Sequence, residues 1–441
     1  MTVGDRAQQA LRWLAERSPR QILFAGWIVF VLGCYPGYMS TDSALQLFTV
    51  RSGDYTDYSP VMTALWGALE YVSAGPFPML LLQSGLFLFG LHAILRRVLS
   101  PRAAALTAAG VLLFPPVFSV MAVIWPDPLM AGAMLGGFGA ALDSRRGWKI
   151  VGGVLIAIAL ACRPEVIFAV IPFALVVVPK TVWWRRAAVA VGIVLGLGIG
   201  ARVADWALTV DDTYLWEQQL MVADTVAILR RSKIKKVEAM EEAFAGLPLA
   251  DRSTLKERVT ASADALNWRP LSNGDKRIFE LITTDDQAAA LAADWRHAIV
   301  KRPRSYLLHR WAMIRAMLGI SGSAEPVYDS FGNFDLMAPL HHRATASDWE
   351  RGMRILVRGV AKTPLFRGWL YVVLAIAAIV LARRHPVLRA LAISGLVYEV
   401  TMFVFAPMPD FRYSHWLIAA TCAALAGLAV ARRWAARDGD G

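Results

Sequence analysis

The chain has 441 residues, 56% of them hydrophobic, and a mean hydropathy of +0.45, which is too apolar for a soluble domain of this size and points to several membrane spans. The net charge of +12 would suit a nucleic-acid binder, but its placement argues against one. Nineteen Lys and Arg cluster in alternate connections between apolar runs, while the short connections on the other side carry only Arg51, Arg163 and Arg412. By the positive-inside rule both termini are then cytoplasmic.

In chain order, apolar runs occur near 21–38, 77–95, 103–124, 126–142, 187–209, 367–382, 387–406 and 413–431. The apolar stretch 150–178 is interrupted by "CRPE" (162–165) and reads as two short spans meeting at a polar turn, which keeps the charge alternation intact. The expected fold class is therefore an all-α polytopic membrane protein of about ten transmembrane helices. The first run lacks a small-residue cleavage pattern and reads as a signal anchor. Cys34, Cys162 and Cys422 have neither disulfide nor zinc-ligand spacing and read as small packing residues.

Two regions fall on the outer side. In 39–76, "DSALQLF" and "SPVMTALWGALEYV" read as short interfacial helices. The segment 210–366 is charged and helically patterned in "VEAMEEAF", "RSTLKERVTASADAL" and "DDQAAALAADWRHAIV", with Asp285 and Asp286 as caps of the last. Within it, 303–320 reads as an amphipathic surface helix carrying His309, Arg310 and Arg315. The chain divides into an N-terminal transmembrane module 1–209, the large outer segment 210–366 and a C-terminal transmembrane module 367–441.

Acids and arginines recur at outer span ends: Asp42, Asp54, Asp57, Asp127, Arg163, Glu165, Asp410 and Arg412. Ionisable groups at membrane depth commonly mark function. Each has a structural alternative. Asp42 in "STDS" and Asp127 before Pro128 suit helix N-termini. Arg163 and Glu165 suit a boundary ion pair, and Arg412 suits a snorkelling residue. Arg202 and Asp205, three apart, read as an internal pair. Glu399 reads either as a site residue or as an arginine's partner. Tyr38, Tyr55, Tyr58 and Trp125 read as interface-belt aromatics. Taken together, the outer charges suit one chemistry, in which a carboxylate takes a proton from an acceptor hydroxyl and arginines hold an anionic phosphate leaving group. The competing classes are a transporter or flippase of lipid-linked intermediates and a scaffold without chemistry. No inverted repeat supports the former.

The ordered set "PGYMSTDSALQ" (36–46), "DYSPVMTALW" (57–66), "WPDPLM" (125–130), "ACRPEVIFAVIPF" (161–173) and "PDFRYSHWLIAA" (409–420) resembles the GT-C superfamily of polytopic glycosyltransferases. The similarity is to the bacterial branch of protein O-mannosyltransferases and lipid A aminoarabinose transferases. It implies a polyprenyl-phosphate-linked sugar donor, a hydroxyl acceptor on a lipid, polysaccharide or protein, and a site facing outward from the bacterial cytoplasmic membrane. Carried over, Asp42 is the catalytic base, Asp127 the second acid, and Arg163 and Arg412 the phosphate binders. Asp57, Glu165, Tyr413 and Arg310 are supporting residues. The chain departs from the pattern at Ser59-Pro60, where many relatives carry His-Pro, and in its single first-loop acid. Divalent metal is used in some branches only, so metal dependence stays open.

Overall fold

The computed structural model describes residues 17–56, 58–214, 216–232, 257, 259, 280–321 and 347–439, of which 434–439 are described as backbone only. The described residues form helices joined by short connections, and none of them lies in a β-strand. "VEAMEEAF", most of "RSTLKERVTASADAL" and Asp57 lie outside the described residues.

Helix α1 (Pro19–Cys34) starts at a capping box in which the Ser18 hydroxyl accepts from the Gln21 amide and the Gln21 side chain accepts from the Ser18 amide. It ends before the run predicted for it, 21–38, because Pro36 carries no amide donor and Gly37 adopts a φ of +121°. Helices α2 (Thr41–Ser52) and α3 (Pro60–Glu70) follow where the short pair was expected. They pack on each other, and α3 also packs against the bundle. The bundle continues with α4 (Phe77–Leu95), α5 (Pro101–Leu113), α6 (Pro115–Met121), α7 (Pro126–Ala141) and α8 (Arg146–Cys162). The run 103–124, read as one span, is broken at Phe114, and α5 and α6 meet at 69°. Pro115 and Pro116 deny the α5 ladder its next donors. "CRPE" separates α8 from a 3-10 turn (Pro164–Val166) and α9 (Ile167–Val177), followed by α10 (Trp183–Leu208).

Among the described residues, four helical segments are long and apolar enough to cross a membrane: Phe77–Leu95, Trp183–Leu208, Pro386–Phe405 and Phe411–Arg433. A fifth span results if the bent pair is one crossing. Pro19–Cys34, Pro164–Val177 and Gly368–Leu381 are shorter apolar helices. At 1.5 Å per residue, the 16 residues of α1 reach about 24 Å against a hydrocarbon core of about 30 Å.

Beyond α10 come α11 (Val222–Arg231), α12 (Asp285–Lys301), α13 (Pro303–Met317) and α14 (Asp348–Ala361). Thr284, not Asp285 or Asp286, caps α12: its hydroxyl accepts from the Gln287 amide, and the two acids occupy the first turn. α13 forms where the amphipathic helix was expected and exposes Leu307, Leu308 and Trp311, but His309 and Arg310 are fully buried among α11, α12 and the end of the helix at 386–405. The chain closes with α15 (Gly368–Leu381), α16 (Pro386–Phe405), a 3-10 turn (Phe411–Ser414) and α17 (His415–Gly439).

The core centres on α7, whose residues from Pro126 to Leu135 are all buried. Its glycines let neighbouring backbones touch. A Cβ on Gly132 would stand 2.5 Å from the Gln83 carbonyl oxygen of α4, and one on Gly137 would stand 3.0 Å from the Gly152 oxygen of α8. Close approach of this kind is how small residues hold helices together where lipid weakens the hydrophobic drive. Helices on both sides of 210–366 pack together: α9 lies against α16, and α17 touches α5, α6 and α7. Ser394 of α16 ties this contact by donating to the Ala169 carbonyl and accepting from the Trp416 indole.

Candidate active site

Four sequence-distant stretches converge at one end of the bundle. The first two are laced by backbone: Tyr38 N–H donates to the Ala122 carbonyl (2.8 Å) and Ile124 N–H to the Tyr38 carbonyl (3.0 Å). Side chains reinforce the join. Ser43 Oγ donates to the Ile124 carbonyl at 2.7 Å, and the Trp125 indole donates to Ser40 Oγ at 2.7 Å. Gln83 of α4 donates to the carbonyls of Met121 and Val123 from below. The α2 and α7 N-termini, each with an aspartate in its first turn, are thereby held side by side.

Ser40, not Asp42, caps α2. Its hydroxyl accepts from the Ser43 amide, and Ser43 Oγ accepts from the Ser40 amide in return. Asp42 is left for another partner: Arg412 Nη1 meets its Oδ2 at 2.8 Å across 370 residues of sequence. Arg412 stands on the 3-10 turn before α17, which Asp410 caps. Asp410 accepts from the Arg412 amide through Oδ1 (3.0 Å) and lies 3.2 Å from Arg412 Nε through Oδ2.

The second pair is built the same way. Arg163 ends α8 with extended backbone, and its Nη2 meets Asp127 Oδ2 at 2.7 Å. Glu165, two residues on, is 4.0 Å from Arg163 Nη1, so the cross-helix pair to Asp127 is closer than the local one. Aromatic rings join the two pairs. The Arg412 guanidinium lies over Trp125 (4.6 Å) and Tyr413 (5.2 Å), and that of Arg163 lies over Tyr413 (5.1 Å). Guanidinium groups favour such faces electrostatically. Tyr58 belongs to the same cluster: burial and the Asp42 charge push its phenol above the ordinary value, against the pull of Arg412 and Arg163.

The structure thus brings together Asp42, Asp127, Arg163, Glu165, Arg412 and Tyr413. Arg310 stands apart, bonded to Asp224 and to the Ala406 carbonyl. Arg412 is buried and paired, which removes the snorkelling alternative, and Arg202 Nη1 pairs with Asp205 Oδ2 at 3.2 Å as expected. Glu399 accepts from Ser414 Oγ at 2.9 Å. The belt reading fails for Trp125 and Tyr38, which are 2% and 3% exposed; the Trp125 indole donates to Ser40, and the Tyr38 hydroxyl donates to the Gly33 carbonyl. Spacing beside a proline-rich turn was the only local signal for Trp125, and aromatics are common at such boundaries for other reasons.

Exposure separates the two aspartates. The Asp42 side chain is 27% exposed and that of Asp127 is 0% exposed. Asp127 Oδ1 and Arg163 Nε are buried without a hydrogen-bond partner among the described residues. An apolar groove of about 480 Å³ lies between α8, α9 and α10, lined by Leu160, Pro164, Ile167, Ile199, Arg202 and Trp206 among others. Among the described residues no three His, Cys, Asp or Glu side chains group as metal ligands. Asp42 and Asp127 each face a guanidinium through Oδ2.

No family model and no curated protein matches the chain. Among solved structures it is similar to the archaeal oligosaccharyltransferase AglB from Archaeoglobus fulgidus in complex with an inhibitory peptide and a dolichol-phosphate. The TM-score is 0.41 and the identity 10%, covering 94% of this chain and 50% of that one. The apo oligosaccharyltransferase from Archaeoglobus fulgidus gives a TM-score of 0.35 at 12% identity, with 94% and 50% covered. ArnT from Cupriavidus metallidurans in the apo state gives 0.33 at 16% identity, with 96% and 78% covered. The chain spans half the length of the archaeal structures it matches.

Proposed function

We propose that the protein is a membrane glycosyltransferase that moves a sugar from a polyprenyl-phosphate-linked donor to an acceptor hydroxyl on the outer side of a bacterial cytoplasmic membrane. The observation that carries this reading is the convergence of two aspartate–arginine pairs, from four separate stretches, around one aromatic cluster. Two fixed guanidinium groups suit the bidentate recognition of a phosphate. The apolar groove lined in part by Pro164, the residue after Arg163 in sequence, suits the lipid chain of such a donor.

The exposures divide the work. Asp42, reached by solvent and held through one carboxylate oxygen, is the general base. It takes the proton of the acceptor hydroxyl as that oxygen forms its bond to the sugar C1. The bond from C1 to the phosphate oxygen breaks, and its electron pair leaves with the lipid phosphate. Arg163 and Arg412 are aimed at the charge developing there, in a site where fixed dipoles are worth more than in water. Asp127, shut from solvent, does not meet an acceptor; it holds Arg163 in place. With the active site outward, both termini are cytoplasmic.

The test is a binding and transfer assay with purified protein and synthetic polyprenyl-phosphate sugars. Transfer to a hydroxyl acceptor, with donor use weakened in Arg412→Ala, is the expected result. Retention of polyprenyl phosphate by an Arg163→Ala, Arg412→Ala double variant at parental affinity would overturn the assignment.

A further inference from the structure

Arg310 was singled out by sequence yet lies outside the site, in a buried ionic cluster. Its Nη2 meets Asp224 Oδ2 at 2.6 Å, and its Nη1 donates to the Ala406 carbonyl at 2.7 Å. Asp224 Oδ2 also accepts from the Trp295 indole at 2.9 Å, and its Oδ1 lies 3.2 Å from His309 Nε2. Asp224, His309 and Arg310 are each at most 1% exposed. The cluster joins α11, α12 and α13 to the C-terminal end of α16.

An ion pair this deeply buried gains little stability over apolar residues of the same volume, because desolvation offsets the attraction. What apolar residues cannot do is grip a carbonyl. Ala406 is the C-cap of α16, where helix carbonyls lose their partners and a cation is favoured. From Ala406 the chain runs through Pro407, Met408 and Pro409 to Asp410. Two prolines in four residues fix φ along this strap. Asp410 then holds Arg412 through its amide and Nε. Phe411 packs on Phe366 beside it, at 5.3 Å between ring centroids.

We propose that Asp224 and Arg310 are positioning residues for Arg412: they clamp the Ala406 carbonyl, and the stiff 406–410 strap passes that placement to the guanidinium paired with Asp42. Neither residue touches the site. The segment after α10 thereby couples its own packing to the anion-binding arginine. The consequence for sugar transfer rests on the function proposed above; the structural coupling does not.

The test uses the full chain in detergent and an Asp224→Leu, Arg310→Met double variant, which removes the clamp without leaving a buried charge unpaired. Amide hydrogen exchange at 410–414 should speed up about tenfold or more, while exchange in α4 stays parental, as expected for a local opening. In transfer assays the donor KM should rise more than kcat falls. Parental exchange at 410–414 in the folded variant overturns the proposal, whatever the transfer assay shows. A parent without transfer activity refutes the function instead, and the exchange result still decides the coupling. A second measurement needs no variant: native-state exchange of the unmodified protein in rising denaturant. One shared opening isotherm for 306–314 and 410–414 is expected, and separate isotherms overturn the coupling.

Discussion

Replacing Asp42 by Asn separates chemistry from architecture, because the structure has already assigned the helix cap to Ser40. The change keeps side-chain shape and leaves the Ser40–Ser43 box untouched. It removes one charge from the pair with Arg412, at 2.8 Å, with Asp42 27% and Arg412 8% exposed. A fully lost charged hydrogen bond is worth roughly 1.5–3 kcal/mol. Asn still offers an oxygen to Arg412, and Asp410 remains beside the guanidinium, so a loss of about 1 kcal/mol is expected. Turnover is a different matter: Asn cannot accept the proton, and loss of general-base assistance lowers rate by roughly 10²–10⁴-fold. Thermal unfolding in detergent and donor-dependent transfer are the two readouts. A steep fall in kcat with the donor KM near its parental value supports the base. A raised KM at parental kcat would mean that Asp42 serves only to hold Arg412. Parental kcat and KM together would refute any role in transfer.

The second pair differs in burial, and so in its response. Arg163→Ala strands the fully buried Asp127 carboxylate, so a stability loss of about 3–5 kcal/mol is expected from thermal unfolding, together with weakened donor binding. Arg163→Ala combined with Asp127→Ala should recover stability but not donor binding, measured with polyprenyl phosphate. Burial holds the His309 imidazole below its ordinary value, so the unfolded chain takes up its proton first as pH falls. Below about pH 6.5 this group should subtract from stability, and His309→Gln should flatten the fall in unfolding midpoint between about pH 6.5 and 5. Finally, a cysteine at exposed position 52 should react with a membrane-impermeant reagent added to the outer side of intact cells; labelling only after inner access is given would reverse the proposed topology.

Much of the candidate site was legible because its residue types are out of place where they stand. Asp42, Asp127, Arg163 and Arg412 interrupt or flank apolar runs, and a charge beside a span announces itself in one dimension. Their pairing was not legible. The local rules proposed Arg163 with Glu165, two residues away, whereas the closer partner is Asp127, 36 residues away on another helix. Nor did local pattern reveal that α13 buries His309 and Arg310. Its His309 and Arg310 read as surface charges until Asp224, a single acid in an undistinguished stretch, is seen to meet them.

By itself the sequence determined the all-helical membrane character, through long apolar runs, and most helix ends, through Pro, Gly and Ser at particular positions. These are properties of a short stretch in its solvent, and they need no distant partner. Only the tertiary structure decided that Asp42 pairs with Arg412 and Asp127 with Arg163, and that Asp42 is exposed while Asp127 is not. The physical reason is that exposure and ion pairing are set by which helix ends meet. That depends on glycine-mediated contacts of α4, α7 and α8 and on the bridge between Tyr38 and Val123, each joining residues far apart in the chain.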